Sequence, residues 1–595
     1  MTTIKERKDI PITDTWNLND IFESIDLFHE NFKKVQSKIP SFAKYVGKLT
    51  SSCELLYDFL SEQDELAITM NQLYLYAHMH LHEDGNVSLY QDLSTKTETL
   101  SIEFYSAISF ANPELSALTE NMILDFIKEN PKLSVYKRYL FEILRQKKHI
   151  LNASTENLLA KVSEIASSPS QIFAMLDNVD INFGTVKNDD GVEVPLTHGN
   201  YISFLESKTR SVRESAFKTL YKTYSSYKNT LATTFSSNVK QYLLFSNVRG
   251  FETPLHYALH ENNIPISVYN NLIDTVHEHL NLMYDYVALR KNHLMLDELH
   301  MYDLFVPMAK NFDKKISYDE ACELVLKSLA PLGKEYTDIA KEAFTNRWVD
   351  KFENMGKRSG AYSWSTYGIP HPYILMNYVE NINSLFTLAH ELGHAMHSYF
   401  SHKTQPFIYS DYCIFVAEVA STVNESLLMQ YLLKTTEDPT FKRYLISYFM
   451  DQFRSTLYRQ TMFAEFEKEV HLFAKEGGVL TASYLCDKYY SLVQKYHGDH
   501  LCVDEDIKYE WSRIPHFYNP FYVYQYATGF SAAIALSDRI LNECDQAVKD
   551  YITFLSSGSS KDPIDLLKDA GVDMSTKEPI EKALAVFSTL ISSFN

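Results

Sequence analysis

The chain has 595 residues, 45% of them apolar and 14% aromatic, and a formal net charge of −20. Its 17 Gly and 18 Pro are about 3% each, below the usual ~7% and ~5%, so helix breakers are scarce and long helices are expected. No Lys/Arg-rich run offsets the acidity, which argues against nucleic acid and anionic membrane as partners, and no run of 18 apolar residues offers a membrane span.

Cys53, Cys322, Cys413, Cys486, Cys502 and Cys544 are widely spread and form no CxxC pair, a pattern of free thiols in a reducing compartment. The leading segment MTTIKERKDIPITDTW has charge but no apolar signal-peptide core, so a soluble, cytoplasmic chain is expected.

From Asn17 to about Leu176 successive amphipathic patterns such as LAITMNQLYLYAHMHL and KRYLFEILRQKKHILNA alternate with short polar turns, predicting an antiparallel helical array. Within it His78, His80 and His82 form an HxHxH run. On a helix, neighbours two apart point about 200° apart around the axis, which disfavours a shared metal there. Between Asn178 and Thr197 the segments VDINFGTV and GVEVPL flank KNDDG, predicting a β-hairpin whose turn carries Asp190 and Gly191. It suggests a division into an N-terminal helical region, 1–197, and a catalytic region, 198–595. Long helices resume after it, with Asn200 as a cap.

Further on, GKRSGAYSWSTYGIPHPYILMNY reads as a loop followed by one short strand over Tyr373 to Tyr378, either at a sheet edge where an extended peptide could add itself or as a covered structural strand. Next comes SLFTLAHELGHAMHSYF, whose apolar residues recur at helical intervals with no proline between Pro372 and Pro406. The i, i+4 spacing of His390 and His394 stacks two imidazoles on one helix face with Glu391 beside them, the layout of a zinc hydrolase with its general base. Zinc takes a third protein ligand and keeps one position open for water.

The following helix, FVAEVASTVNESLLMQYLL, offers Glu418 and Glu425 on one face, and either could complete the metal set. Glu418 lies in the first turns, where a short loop could bring it against the HELGH helix; Glu425 suits a carboxylate that orients a ligand histidine through its other ring nitrogen. His397 lies about 10 Å along the axis from His390, too far for one ion at about 2.1 Å, and reads as a supporting or packing residue. Late in the chain, WSRIPHFYNPFYVYQYATGF carries His516, Tyr522, Tyr524 and Tyr526, candidate donors to an oxyanion, with Tyr522 and Tyr526 on one face if a helix begins after Pro520.

Taken with GKRSGAYS, HELGHAMHSYF, FVAEVAST followed by NES, RQTMFAEFE and IPHFYNPFYVYQYATG in that order, the chain resembles the oligoendopeptidase F branch of the thimet-oligopeptidase-like zinc peptidases. DTWNLNDIF and LTHGNYISFLESKTRSVRESAF extend the likeness over nearly the whole chain. The resemblance implies one zinc per chain on His390, His394 and Glu418. It makes Glu391 the general base, with His516, Tyr526 and Tyr522 as transition-state donors. It also implies a mostly α fold, a helical ellipsoid with a deep internal channel admitting short unstructured oligopeptides, whose internal bonds are cut. Two other readings stay open: a related helical zinc carboxypeptidase, which needs a cationic clamp for a terminal carboxylate, and a peptide-binding scaffold without turnover, which has no use for a base beside the metal.

Overall fold

The computed structural model describes residues 4–309, 314–543 and 545–594, so Cys544 lies outside the described residues. The protein is mostly α, 72% helical with only small sheets. Its chain forms two compact units interleaved in sequence. The first comprises Met1–Lys148, Asp313–Tyr431 and Leu536–Gly571; the second comprises His149–Phe312, Leu432–Ala535 and Val572–Asn595.

In the first unit, helix α1 (Cys53–Glu83) starts where the Ser52 side chain accepts from the Leu55 amide, satisfying one of the amides a helix start leaves open. It buries Leu56, Phe59, Leu60, Met70 and Leu73, and α2 (Ser88–Ile108) packs against it. The HxHxH run sits on the last turns of α1 and is hydrogen-bonded in separate directions: His78 to Tyr74 O and Glu98, His80 to Glu83, and His82 to Tyr362 Oη and Arg358.

The expected hairpin is present in the second unit as β1 (Thr185–Lys187) and β2 (Glu193–Pro195), antiparallel with Val186 opposite Val194. Asn188 Oδ1 accepts the Asp190 and Val192 amides across the turn, and Gly191 has φ +76°, a conformation in which a Cβ is strained. The cap after it is Thr197 rather than Asn200: the Thr197 hydroxyl accepts the Asn200 amide while Asn200 Oδ1 accepts the Thr197 amide, a reciprocal capping box. Helix α3 (Arg210–Val248) follows. Its Phe235 lies in an aromatic cluster with Phe466, Trp511 and Phe517.

Returning to the first unit, β3 (Val349–Asp350), β4 (Tyr362–Trp364) and β5 (Tyr373–Leu375) make a three-stranded sheet in the order β3-β5-β4. The predicted strand is thus the middle one, parallel to β3, antiparallel to β4 and fully buried. The edges are β3 and β4, and sequence reading had left β4 in a loop. A short run that is apolar at every position marks a strand covered on both faces, and Tyr373, Ile374 and Leu375 fit that pattern.

Helix α4 (Ile382–Thr404) opens on Asn381, whose side chain accepts from Ser384 N. Leu385, Leu388, Ala389, Leu392, Ala395 and Met396 on it are completely buried. At ~1.5–3 kcal/mol for each large apolar side chain removed from water, this stripe fixes the rotation of the helix. After α5 (Ile414–Thr435) come α6 (Arg459–Lys475) and α7 (Tyr524–Asn542). Among the described residues no helix is long and apolar enough to cross a membrane, and Cys53, Cys322, Cys413, Cys486 and Cys502 are free thiols.

Candidate active site

His390 and His394 project from one face of α4, their ring centroids 4.8 Å apart. They can meet a carboxylate from α5 because the two helices approach backbone to backbone. A Cβ placed on Gly393 would lie 2.5 Å from Ser421 Cα and 2.6 Å from Ala420 O, so only glycine permits the crossing. Three residues before Ser421, Glu418 reaches back toward the imidazoles, with its Oε2 3.4 Å from His390 Nε2 and 3.6 Å from His394 Nε2.

The two Nε2 atoms are 3.2 Å apart. Edges of 3.2, 3.4 and 3.6 Å match the roughly 3.3–3.6 Å between neighbouring ligand atoms of a tetrahedron with bonds of about 2.0–2.2 Å. Among the described residues this is the one group of three or more His, Cys, Asp or Glu arranged to hold a metal ion. The donor set fits a divalent cation on chemical grounds as well. Glu425 Oε1 lies 2.5 Å from His390 Nδ1, so the proton on that nitrogen is held by a carboxylate and the Nε2 lone pair is directed at His394. Two imidazole lone pairs and a carboxylate oxygen facing one point repel one another unless a cation lies between them.

The electrostatics agree. Burial alone would lower His390, but the Glu425 hydrogen bond, with Glu425, Glu391 and Glu418 charges behind it, raises it to about 9. Glu418, which burial alone would raise, is held at about 2 by His394 and His390. Both shifts express a pocket that attracts positive charge.

Glu391 is 7% exposed, and burial raises its carboxyl above the ordinary range although His390 and His394 oppose this. The backbone of Ser363 in β4 lies close enough to oppose that rise slightly, which places an edge strand next to the candidate base. His397 is 1% exposed and stacks on Tyr412 at 3.6 Å; it packs and does not reach the cluster of donors.

His516, Tyr522 and Tyr526 come together in the second unit. Tyr526 Oη is 3.5 Å from His516 Nε2, the His516 and Tyr522 rings are parallel with centroids 6.1 Å apart, and Tyr522 meets Tyr526 edge-on at 5.4 Å. The helix begins at Tyr524 rather than just after Pro520, so Tyr522 lies in the preceding turn. Tyr524 is 2% exposed and packs on Tyr269. Of the three candidate tyrosines, Tyr522 and Tyr526 flank the histidine and Tyr524 belongs to the core.

Comparison with known proteins points to peptidases. Residues 203–586 match the profile of Peptidase family M3, and residues 114–183 that of Oligopeptidase F. The chain belongs to peptidase family M3. Oligopeptidase PepF of Bacillus subtilis (strain 168) is 48% identical over 584 residues, covering 98% of this chain and 87% of that protein. The crystal structure of oligoendopeptidase-F from Enterococcus faecium superposes with a TM-score of 0.74 at 36% identity, covering 95% of this chain and 98% of that one. A solved structure from Chlamydophila abortus gives a TM-score of 0.94 at 34% identity over 100% and 99% of the two chains.

This M3 peptidase also holds residues around the candidate groups that sequence reading missed. Ser363 is one, signalled only by its place in the GAYS motif. Another is Glu467 on α6, fully buried, whose Oε1 accepts the backbone amide of Phe521. Phe521 is a non-glycine residue at φ +60°, an uncommon conformation that needs support, and it immediately precedes Tyr522. Burial raises the Glu467 carboxyl well above its usual range. No spacing in RQTMFAEFE distinguishes this glutamate from an exposed one.

Proposed function

We propose that the chain is a zinc-dependent endopeptidase that hydrolyses internal bonds of short unstructured oligopeptides in the cytoplasm, with the catalytic machinery in residues 198–595. The observation that carries this reading is the triangle of His390, His394 and Glu418 beside a buried Glu391. Membership of family M3 and relatives named as oligopeptidases and oligoendopeptidases support the substrate class.

His390, His394 and Glu418 hold one zinc, and Glu425 fixes the tautomer of His390. Zinc bound there supplies Lewis acidity, polarising a carbonyl and acidifying water. Glu391 takes the proton from the attacking water and returns it to the leaving amine; its burial raises its basicity toward neutral pH, where a general base works best. His516 donates to the oxyanion, assisted by Tyr526 and Tyr522, each of which can give an O–H hydrogen bond. Edge strand β4 holds the substrate backbone in extended form.

The test is Glu391→Gln, assayed on a panel of end-blocked quenched-fluorescent peptides with metal content measured in parallel. The expected outcome is stoichiometric zinc and a roughly 10²–10⁴-fold loss of kcat. Full activity in this variant rejects Glu391 as the base. In the wild-type protein a chelator should abolish cleavage and zinc should restore it. Products trimmed only from a free C-terminus would turn the reading to a carboxypeptidase, and zinc without hydrolysis of any peptide would turn it to a binding scaffold.

A further inference from the structure

The second unit contains a partly open cavity of about 30 Å³, remote in sequence from the HELGH motif and lined largely by apolar side chains such as Leu205, Phe217, Met283 and Ile507. Arg454, Arg459 and Arg513 also line it, against a single lining carboxylate, Glu510. Arginines are almost never buried unless their charge is matched, so their partners decide what the cavity is for.

Glu510 is 2% exposed and already saturated. Its Oε1 accepts Arg459 Nη2 at 2.8 Å, Arg513 Nη2 at 2.8 Å and Tyr221 Oη at 3.2 Å, and its Oε2 accepts Tyr489 Oη at 2.5 Å and Arg459 Nη1 at 3.3 Å. One carboxylate therefore serves two guanidinium groups. Arg454 is 8% exposed, and among the described residues its one hydrogen bond is from Nε to Asp451 Oδ1 at 3.4 Å. That same Oδ1 is shared with Tyr286 Oη at 2.5 Å and with the fully buried Arg290 at 3.3 Å. Both Nη atoms of Arg454 have no protein acceptor among the described residues, while the guanidinium lies 4.7 Å over the Phe305 ring. Arg454 and Arg290 thus share Asp451, and Arg459 and Arg513 share Glu510.

Two further observations place these groups on one space. His497 also lines the cavity, and its imidazole is lowered to about 4, first by burial, with the charges of both Arg454 and Arg459 acting in the same direction. The chain bearing Arg454 makes a π-helical turn over Phe453–Tyr458, a rare widening that recurs at functional sites because it re-aims side chains.

We infer that this cavity is a binding site for a small, weakly hydrated inorganic anion of halide size, held by the free Nη atoms of Arg454 with Arg459 opposite. Apolar surface fills the gaps between the guanidinium groups, and it cannot replace the hydration shell of phosphate or sulfate, whose oxygens each need donors. A halide asks for few donors and tolerates apolar neighbours. Nothing in the proposed peptide hydrolysis uses this site, so the two readings stand or fall separately.

The test uses the whole wild-type protein. Crystals equilibrated in sodium bromide should give an anomalous peak at the Arg454 guanidinium. In solution, replacing sodium gluconate by sodium chloride or bromide at constant ionic strength should raise the unfolding midpoint saturably, on the order of a degree or two, as expected when a ligand binds only the folded state. Arg454→Met should lose the saturable rise. A bromide crystal with no peak in the cavity overturns the proposal, whether or not the variant folds. A saturable rise given by phosphate or sulfate and not by halides overturns the assignment of the anion.

Discussion

Glu425 never touches the ion-binding point, yet its hydrogen bond to His390 Nδ1 at 2.5 Å decides which ring nitrogen carries the lone pair. Glu425→Gln keeps the shape and weakens that hold, and it is expected to lower zinc affinity by about 10–100-fold, the usual effect of losing a ligand's hydrogen-bond partner. Competition titration against a chromophoric chelator measures it, and unchanged affinity would show the contact to be incidental. At this scale the sequence was legible where chemistry imposes spacing. His390 and His394 had to share a helix face, and Glu418 with Glu425 had to share another. Tyr524 was not separable from Tyr522 and Tyr526, because aromatic residues in an aromatic-rich chain do not say which side faces the core. Thr197 and Asn200 illustrate the same gap: either can cap a helix, and the choice follows from backbone geometry one turn away.

Helices α4 and α5 meet through Gly393, where the nearest atoms to an added Cβ are main-chain atoms of Ala420 and Ser421. Main chain cannot swing aside as a side chain does. Gly393→Ala is therefore expected to force the helices apart, costing about 1–3 kcal/mol of stability and weakening zinc binding at least tenfold as Glu418 retreats from the imidazoles. Thermal unfolding and metal titration would read the two effects separately; a variant equal to wild type in both would mean that the contact relaxes freely. Element positions were read well for the helices and the hairpin, whose periodicities are strong. Of the three-stranded sheet only one strand was read, and whether it lay at an edge or was covered stayed open. Its central strand was visible because its three residues are apolar, but β4 alternates no such signal: Tyr362, Ser363 and Trp364 are all partly exposed, so an edge strand next to a candidate base looked like loop.

Acid stability belongs to the molecule as a whole, and in the second unit Glu465 concentrates part of it. Burial alone would raise this carboxyl, but hydrogen bonds from His277, Lys495 and Tyr496 hold it at about 2, against a usual 4.5. A depressed carboxylate contributes stability that is complete above pH 4.5 and is lost as pH falls toward 2. Glu465→Gln should lower stability at neutral pH and flatten the acid limb between those values; denaturant melts across that range test it, and an acid limb as steep as wild type would assign the loss elsewhere. No linear pattern in the sequence revealed that the two compact units take turns along the chain, because local periodicity is blind to which distant segments pack together.

That alternation bears on how the protein can be made. The first unit needs residues 536–571, where Phe554 packs on His397 and Ser556 O accepts from Thr404 and Gln405. The second needs 572–595, where Phe587 packs among Tyr286, Phe453 and Tyr458. A nascent chain on the ribosome therefore carries both units unfinished until residue 571 has emerged, and the second until residues 572–595 have. A premature stop before residue 571 would spoil both units at once, and one after it only the second, so the newborn polypeptide depends on being kept from aggregating through most of its translation.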